Sequence, residues 1–242
     1  MRFAEIAVVG GGCYGTFYAG QLLQARARDK VEFTRLLVVD RDPHCQFSRE
    51  IGPSALAELV ISDWDGFFDS WLSTAAAGDP PSVIVPSPLM PHLMYHWLLR
   101  RAQARWPGRL VETRAVPRGP GTPYDRAVPD GTRYVSFADW LCPTHCIEPA
   151  LCPVTRAPRT WEMADALRDL TTALGEEQAT AGPVLFSCEH QAFGVGTFSV
   201  AEVLAGDALV AAAGSGGTAV AIVVGTISSC HGAVNLLHLG PG

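Results

Sequence analysis

Ile6-Ala7-Val8-Val9-Gly10-Gly11-Gly12-Cys13-Tyr14-Gly15, with Leu36-Leu37-Val38-Val39-Asp40 some 25 residues on, decides how this chain begins. Residues 4–9 form an apolar run too short for a helix and end at three glycines, which reads as a buried strand meeting a tight turn. Small residues at Ala19 and Gly20 among Phe17, Leu22 and Leu23 then give a helical pattern to about residue 27. The second apolar run stops at Asp40. Strand, helix and strand within about 35 residues imply a β-α-β unit, and strands this apolar imply a sheet covered on both faces.

The rest of the first half continues the alternation. Residues 56–61 fit a helix or a strand, 67–76 a helix, 82–85 a short buried strand, 89–104 a helix behind Pro86, Pro88 and Pro91, and 110–115 a strand. This order is that of an α/β fold with a doubly wound, mostly parallel sheet. Residues 117–133 are too rich in proline and glycine for regular structure and divide the chain into a region 1–116, the loop itself, and a cysteine-rich region 134–242 expected to pack on the same sheet. In that region 134–137, 184–188, 218–227 and 234–239 read as strands, and 160–174 and 200–213 as helices, the first capped by Thr160.

Gly10-x-Gly12-x-x-Gly15 has the spacing of the dinucleotide-binding fingerprint. There the first glycine makes the turn, the second lets backbone approach a pyrophosphate, and the third lets the helix pack on the strand. The stretch from Ile6 to Asp40 resembles a Rossmann-type NAD(P)-binding domain, a Rossmann-like sheet over about the first 40 residues. The resemblance implies a nucleotide held by Gly10, Gly12, Cys13, Tyr14 and Gly15, with Asp40 accepting from the ribose hydroxyls. An acidic Asp40 favours NAD, Arg41 beside it keeps NADP open, and FAD ranks behind both.

The second signal is Trp140-Leu141-Cys142-Pro143-Thr144-His145-Cys146-Ile147-Glu148-Pro149-Ala150-Leu151-Cys152-Pro153. Free cysteine is kept for reactivity or metal binding more than for packing, so three thiols in one loop point to a metal. The spacing lacks the C-x2-C knuckles of structural zinc and the C-x2-C-x2-C run of bacterial ferredoxins. Cys142-Pro143 and Cys152-Pro153 are similar to the Cys-Pro of ferredoxins. Three thiolates need a fourth ligand, for which Cys188 and Cys230 stand at strand ends, with His145, His190 and His231 as nitrogen alternatives. A sulfur-only set favours an iron-sulfur cluster, and three sulfurs with one histidine suit zinc equally. Glu189 and His190 are the acid-base candidates. His92 and His96, a helical turn apart beside Met90, Met94 and Trp97, read as surface or satisfied core groups.

Composition bounds the rest. Apolar residues at 48% and charged at 17% describe a globular protein, and a net charge of −6 without a basic run argues against nucleic acid or anionic membrane as partner. Lys30 is the only lysine, which nearly excludes Schiff-base and P-loop chemistry. Residues 208–230 carry no charge, but Gly214, Ser215, Gly216 and Gly217 interrupt them, so helix, turn and buried strand fit better than a membrane span. The first residues show no signal-peptide pattern, which implies a reducing cytoplasm. The expected protein is a cytoplasmic NAD(P)-linked oxidoreductase with an iron-sulfur cluster, acting on a small-molecule substrate or a redox partner protein, with a homo-oligomer compatible. A non-catalytic redox or nucleotide sensor and a zinc-dependent enzyme are the alternatives.

Overall fold

The computed structural model describes all residues except Ala76, Thr144 and His145. In chain order the elements are β1 (Arg2–Val9), α1 (Cys13–Ala27), β2 (Glu32–Asp40), α2 (Gln46–Glu50), β3 (Ala57–Ile61), α3 (Trp64–Trp71), β4 (Val83–Val85), α4 (Leu93–Arg105) and β5 (Val111–Arg114). They continue with β6 (Tyr124–Ala127), β7 (Arg133–Ser136), α5 (Met163–Gly175), β8 (Thr180–Ser187), β9 (Glu189–Ala192), β10 (Val195–Ser199), α6 (Val200–Ser215), β11 (Val220–Ile227) and β12 (His231–Leu239). The chain is mixed α/β and divides into two compact units, one of Met1–Pro91 with Glu189–Leu204, the other of His92–Cys188 with Ala205–Gly242. This division differs from the one placed at residues 117–133.

The first unit holds a six-stranded sheet ordered β3-β2-β1-β4-β10-β9. Its first four strands run parallel, and β10 and β9 join antiparallel. Ile6, Val8, Leu36 and Val38 face one side, where Ala19 and Leu22 of α1 and Phe47 of α2 close over them. Ala7, Val9, Leu37 and Val39 point the other way by strand alternation and are buried as well. Each of the valines, leucines, Ile6 and Phe47 contributes about 1.5–3 kcal/mol relative to exposure. Glu5, the one charged residue within 4–9, is held at the sheet rim by Arg35 and by the Trp71 indole at 2.6 Å. Helix α1 stops where Asp29 turns left-handed (φ 55°) and the Lys30 amide reaches back to the Ala25 carbonyl at 2.9 Å. Asp63 caps α3 by accepting the Gly66 N–H at 2.8 Å, so that helix begins before the expected residue 67.

The second unit holds a sheet ordered β6-β7-β12-β11-β8, with β5 alongside β12. Along one edge β12 pairs β11 throughout, and along the other it pairs first β7 and then β5. Met163, Leu167, Leu170 and Leu174 of α5, spaced at i, i+4, i+7 and i+11, pack on Val223, Ile227, Val234 and Leu236. Gly225 permits this approach, since a Cβ there would stand 2.7 Å from Leu167 Cδ1. Glu162, not Thr160, occupies the cap position of α5.

A single doubly wound, mostly parallel sheet is therefore corrected to two mixed six-stranded sheets. Loop length is the physical reason. A parallel pair needs a crossover of a dozen or more residues, whereas β11 and β12 are separated only by Ser228-Ser229-Cys230 and β9 and β10 by Phe193-Gly194. The Pro/Gly-rich stretch is not irregular throughout, because β6 lies in it and pairs with β7. Among the described residues no helix is long and apolar enough to cross a membrane. Residues 208–230 are divided between α6, a turn and β11.

Candidate metal centre and glycine loop

The cysteine loop leaves β7 and returns to α5, and both ends are pinned to the β11–β12 turn. The Phe137 amide donates to the Cys230 carbonyl at 2.9 Å, and the Met163 amide to the Ser229 carbonyl at 3.0 Å. Within the loop, Cys152 accepts from Arg156 at 2.9 Å and donates to Ala157 at 3.0 Å, while the Cys146 amide reaches the Pro143 carbonyl at 3.0 Å. These bonds turn the chain back on itself. Cys142, Cys146, Cys152 and Cys230 consequently line one cavity, with about 330 Å³ of atom-free space partly open to solvent. The enclosed part leaves about 20 Å³ for the centre of a water-sized sphere, little more than one water needs. Trp140 and Trp161 wall it, the Trp161 indole donating to Cys230 Sγ at 3.3 Å.

The thiols differ in acidity. Burial pushes Cys230 up to about 11 against the opposing Trp161 hydrogen bond. Burial also raises Cys142, reinforced by the neighbouring Cys146 and Cys152. Cys152 is lowered, mainly because the Thr155 amide and hydroxyl stabilise its thiolate. A metal binding here would displace protons from the first two. Among the described residues no group of three or more His, Cys, Asp or Glu stands close enough to hold a metal ion, so the sulfurs surround the space without meeting at one point.

Beside the cavity, Glu148 is 8% exposed, accepts the Ser228 hydroxyl at 2.6 Å and lies 3.9 Å from His231 Nε2. His231 Nδ1 in turn shares a hydrogen bond with Ser136 Oγ at 2.8 Å. Sequence spacing did not reveal this chain of polar groups, because its members come from three separate segments. Trp140 and Trp161 were the readable signal, bracketing the cysteine loop at both ends.

Of the two candidate fourth sulfurs, Cys230 lines the cavity and Cys188 does not. Cys188 continues from β8 and its amide donates to the Ile227 carbonyl at 2.6 Å. Glu189 is exposed on β9 and bonded by Gln191 at 2.8 Å, and His190 is half-buried opposite Gly196. Neither lines the cavity. His145 lies outside the described residues.

In the first unit the glycine loop sits between β1 and α1. Gly10 has φ +84°, and a Cβ on Gly15 would lie 1.7 Å from the Gly10 carbonyl oxygen, so both glycines are required. Gly12 faces open space. Cys13 and Tyr14 are exposed at the start of α1, which has no side-chain cap and no acidic residue in its first turn. Asp40 accepts the Gly11 amide at 2.7 Å and the Asp42 amide at 2.9 Å, one bond to each carboxylate oxygen. Cys45, which sequence reasoning passed over, fills the space above Gly11, and the Phe47 amide bonds the Gly11 carbonyl at 2.8 Å.

No curated protein and no solved structure matches the chain. A family described as "Uncharacterized protein, C-terminal domain" matches residues 94–240. The resemblance to Rossmann-type NAD(P)-binding proteins and to ferredoxins is corrected by this match, since the family found is described only as an uncharacterized C-terminal domain. The physical reason is that both resemblances rested on short local patterns: a Gly-x-Gly-x-x-Gly turn serves any helix packed tightly after a strand, and Cys-Pro any bent loop. The matched span covers more than half of the 242 residues, and the chain belongs to this family, AF_1314_C.

Proposed function

We propose that the chain is an NAD(P)-linked oxidoreductase whose iron-sulfur cluster is held by Cys142, Cys146, Cys152 and Cys230. The observation that carries this reading is that the three thiols of one loop and Cys230 of the distant β11–β12 turn line one tryptophan-walled cavity. Four sulfurs complete a thiolate set, and the flanking prolines and indoles would limit water at the cluster. The nucleotide half rests on the glycine loop: Gly12 and the uncapped start of α1 offer amides to a phosphate, with four parallel strands behind them. Asp40 keeps lone pairs beyond its two amide bonds for a ribose hydroxyl. The seven free cysteines suit a reducing cytoplasm, and the electron acceptor would be a small molecule or a redox partner protein.

The test is anaerobic purification of the full chain, followed by iron and sulfide quantification, an electron paramagnetic resonance spectrum of the reduced protein, and NAD(P)H titration. Iron with equimolar sulfide, lost in Cys146→Ser and Cys230→Ser but kept in Cys188→Ser, is the expected result. Zinc without sulfide would replace the cluster by a zinc site. Protein with neither metal nor nucleotide affinity would end the proposal.

A second reading, a non-catalytic redox sensor, is favoured by one observation. Glu189, the expected acid-base residue, is exposed and tied to Gln191 and does not line the thiol cavity. Metal and nucleotide binding without turnover of any acceptor would support the sensor.

A further inference from the structure

Two residues in the wall of the thiol cavity keep a buried N–H idle. Among the described residues, Trp140 Nε1 and Arg159 Nε are buried without a hydrogen-bond partner, and both residues line that cavity. A buried donor left alone costs about 1–3 kcal/mol, so a fold that keeps two around one space asks for an acceptor within it. Arg159 is fixed from its other side. Its amide donates to the Ala150 carbonyl at 2.7 Å, and its Nη1 donates to the Trp161 carbonyl at 3.1 Å and pairs with Glu162, which leaves the side chain 15% exposed. Trp140 is held edge-on against Trp161, with ring centroids 6.4 Å apart, and Trp161 stacks in turn on Phe137.

Sulfur is the acceptor this wall is built for. The third N–H of the group, Trp161 Nε1, already donates to Cys230 Sγ at 3.3 Å. Burial and the neighbouring Cys146 and Cys152 raise the Cys142 thiol while the Trp140 indole lowers it, so the indole stands toward that sulfur without completing a bond. A neutral thiol is a weak acceptor, whereas an ionised group accepts a shorter and stronger bond. Among the described lining residues Arg159 is the only arginine or lysine, and Glu148, the one carboxylate, is bonded by Ser228 instead. Four thiolates around one divalent ion keep a net double negative charge, which a half-enclosed cavity tolerates only with donors and a cation beside it.

We propose that Trp140 and Arg159 are positioning residues that donate N–H bonds to anionic sulfur in this cavity. The inference rests on the four-thiol reading above and adds the groups that neutralise the sulfurs. It holds alike for an iron-sulfur cluster and for zinc, because the acceptor in both is thiolate sulfur.

Trp140→Phe keeps the ring and removes only the N–H, Arg159→Gln removes the charge, and Arg159→Lys keeps the charge without the Nε donor. The full chain, purified anaerobically with its metal, is challenged with excess EDTA and metal release is followed in time. Release about tenfold faster is expected in Trp140→Phe and Arg159→Gln, with Arg159→Lys between them and the parent. If the metal is an iron-sulfur cluster, both variants should also show a lower reduction potential, since donors to sulfur favour the reduced, more negative state. Trp71→Phe is the control: it removes an indole N–H bonded to Glu5 in the first unit and should match the parent. Thermal melts of metal-free protein separate donation from packing. Metal-free Trp140→Phe should melt no lower than the metal-free parent, because the idle donor is gone, and a clear drop would assign the indole to packing and overturn its part. Metal-loaded Trp140→Phe and Arg159→Gln that both release metal at the parent rate would overturn the inference and leave the four-thiol reading standing. A parent chain without metal would end both.

Discussion

Gly15→Ala adds one methyl group at the place where α1 crosses the turn from β1. The new Cβ would lie 1.7 Å from the Gly10 carbonyl oxygen and 2.8 Å from its carbon, both backbone atoms. Real Cβ atoms essentially never approach closer than 3.0 Å, so helix and turn must separate by at least about 1.3 Å, the difference of the two distances. Overpacking costs about 1–3 kcal/mol where side chains can yield. Here neither atom can rotate away, which places the cost near the upper end, about 3 kcal/mol. A domain of this size loses roughly 2–4 °C per kcal/mol, so the melting temperature should fall by about 6–12 °C. Gly12→Ala is the control: it is the same chemical change three residues earlier, with nothing within 4 Å of its Cβ and an unstrained φ of −77°. It should stay within about 0.5 kcal/mol of the parent. Thermal melts followed by far-ultraviolet circular dichroism read both. Equal midpoints for the two variants would refute the reasoning, as would a Gly15→Ala protein as stable as the parent.

Arg109→Ala should destabilise the second unit by about 2–3 kcal/mol in urea unfolding, because its guanidinium donates to the carbonyls of Gly240, Gly214 and Thr218 at once; Arg109→Lys should recover less than half, having no planar fork. Asp207→Ala, which removes an ion-pair partner of Arg101 and Arg105, should cost about 1–2 kcal/mol, reduced because Arg101 is 43% exposed, and the loss should shrink at high salt. His238 is lowered from 6.5, chiefly by burial and then by Arg114, so the unfolded chain binds its proton more readily. Its stabilising effect should be complete above pH 6.5 and fade as pH falls through 6.5 toward the lower folded value. Unfolding midpoints at pH 7.5, 6.5 and 5.5 should show a shallower acid slope in His238→Gln, and an unchanged slope would exclude His238 as a contributor.

The first unit was more legible in sequence than the second. Apolar runs with glycine punctuation located β1, α1 and β2, and Asp40 fell at the end of its strand as expected. Strand direction was another matter. Residues 218–227 and 234–239 read as strands correctly, and the six residues expected between them, 228–233, were already too few for a parallel crossover, so loop length and not apolar pattern carried the missed direction. The site was half readable for a similar reason. Three cysteines close in sequence announced themselves, and Cys188 and Cys230 looked equivalent, each after a serine at a strand end. Only the anchoring of Phe137 and Met163 to the β11–β12 turn separates them, and such backbone bonds between distant segments leave no mark on residue type.

Neither unit is a continuous stretch of chain, and this bears on how the protein emerges from the ribosome. The edge of β4 is completed by β10, through pairs such as Ile84 with Phe198, more than a hundred residues later. At about 5–20 residues per second, that leaves the backbone edge of β4 waiting on the order of ten seconds for its partner. An unpaired apolar edge invites pairing with other chains. Truncation after β7 or α5 should therefore yield an aggregating first unit, and a fragment restricted to residues 94–240 would carry β9 and β10 away from the sheet they finish.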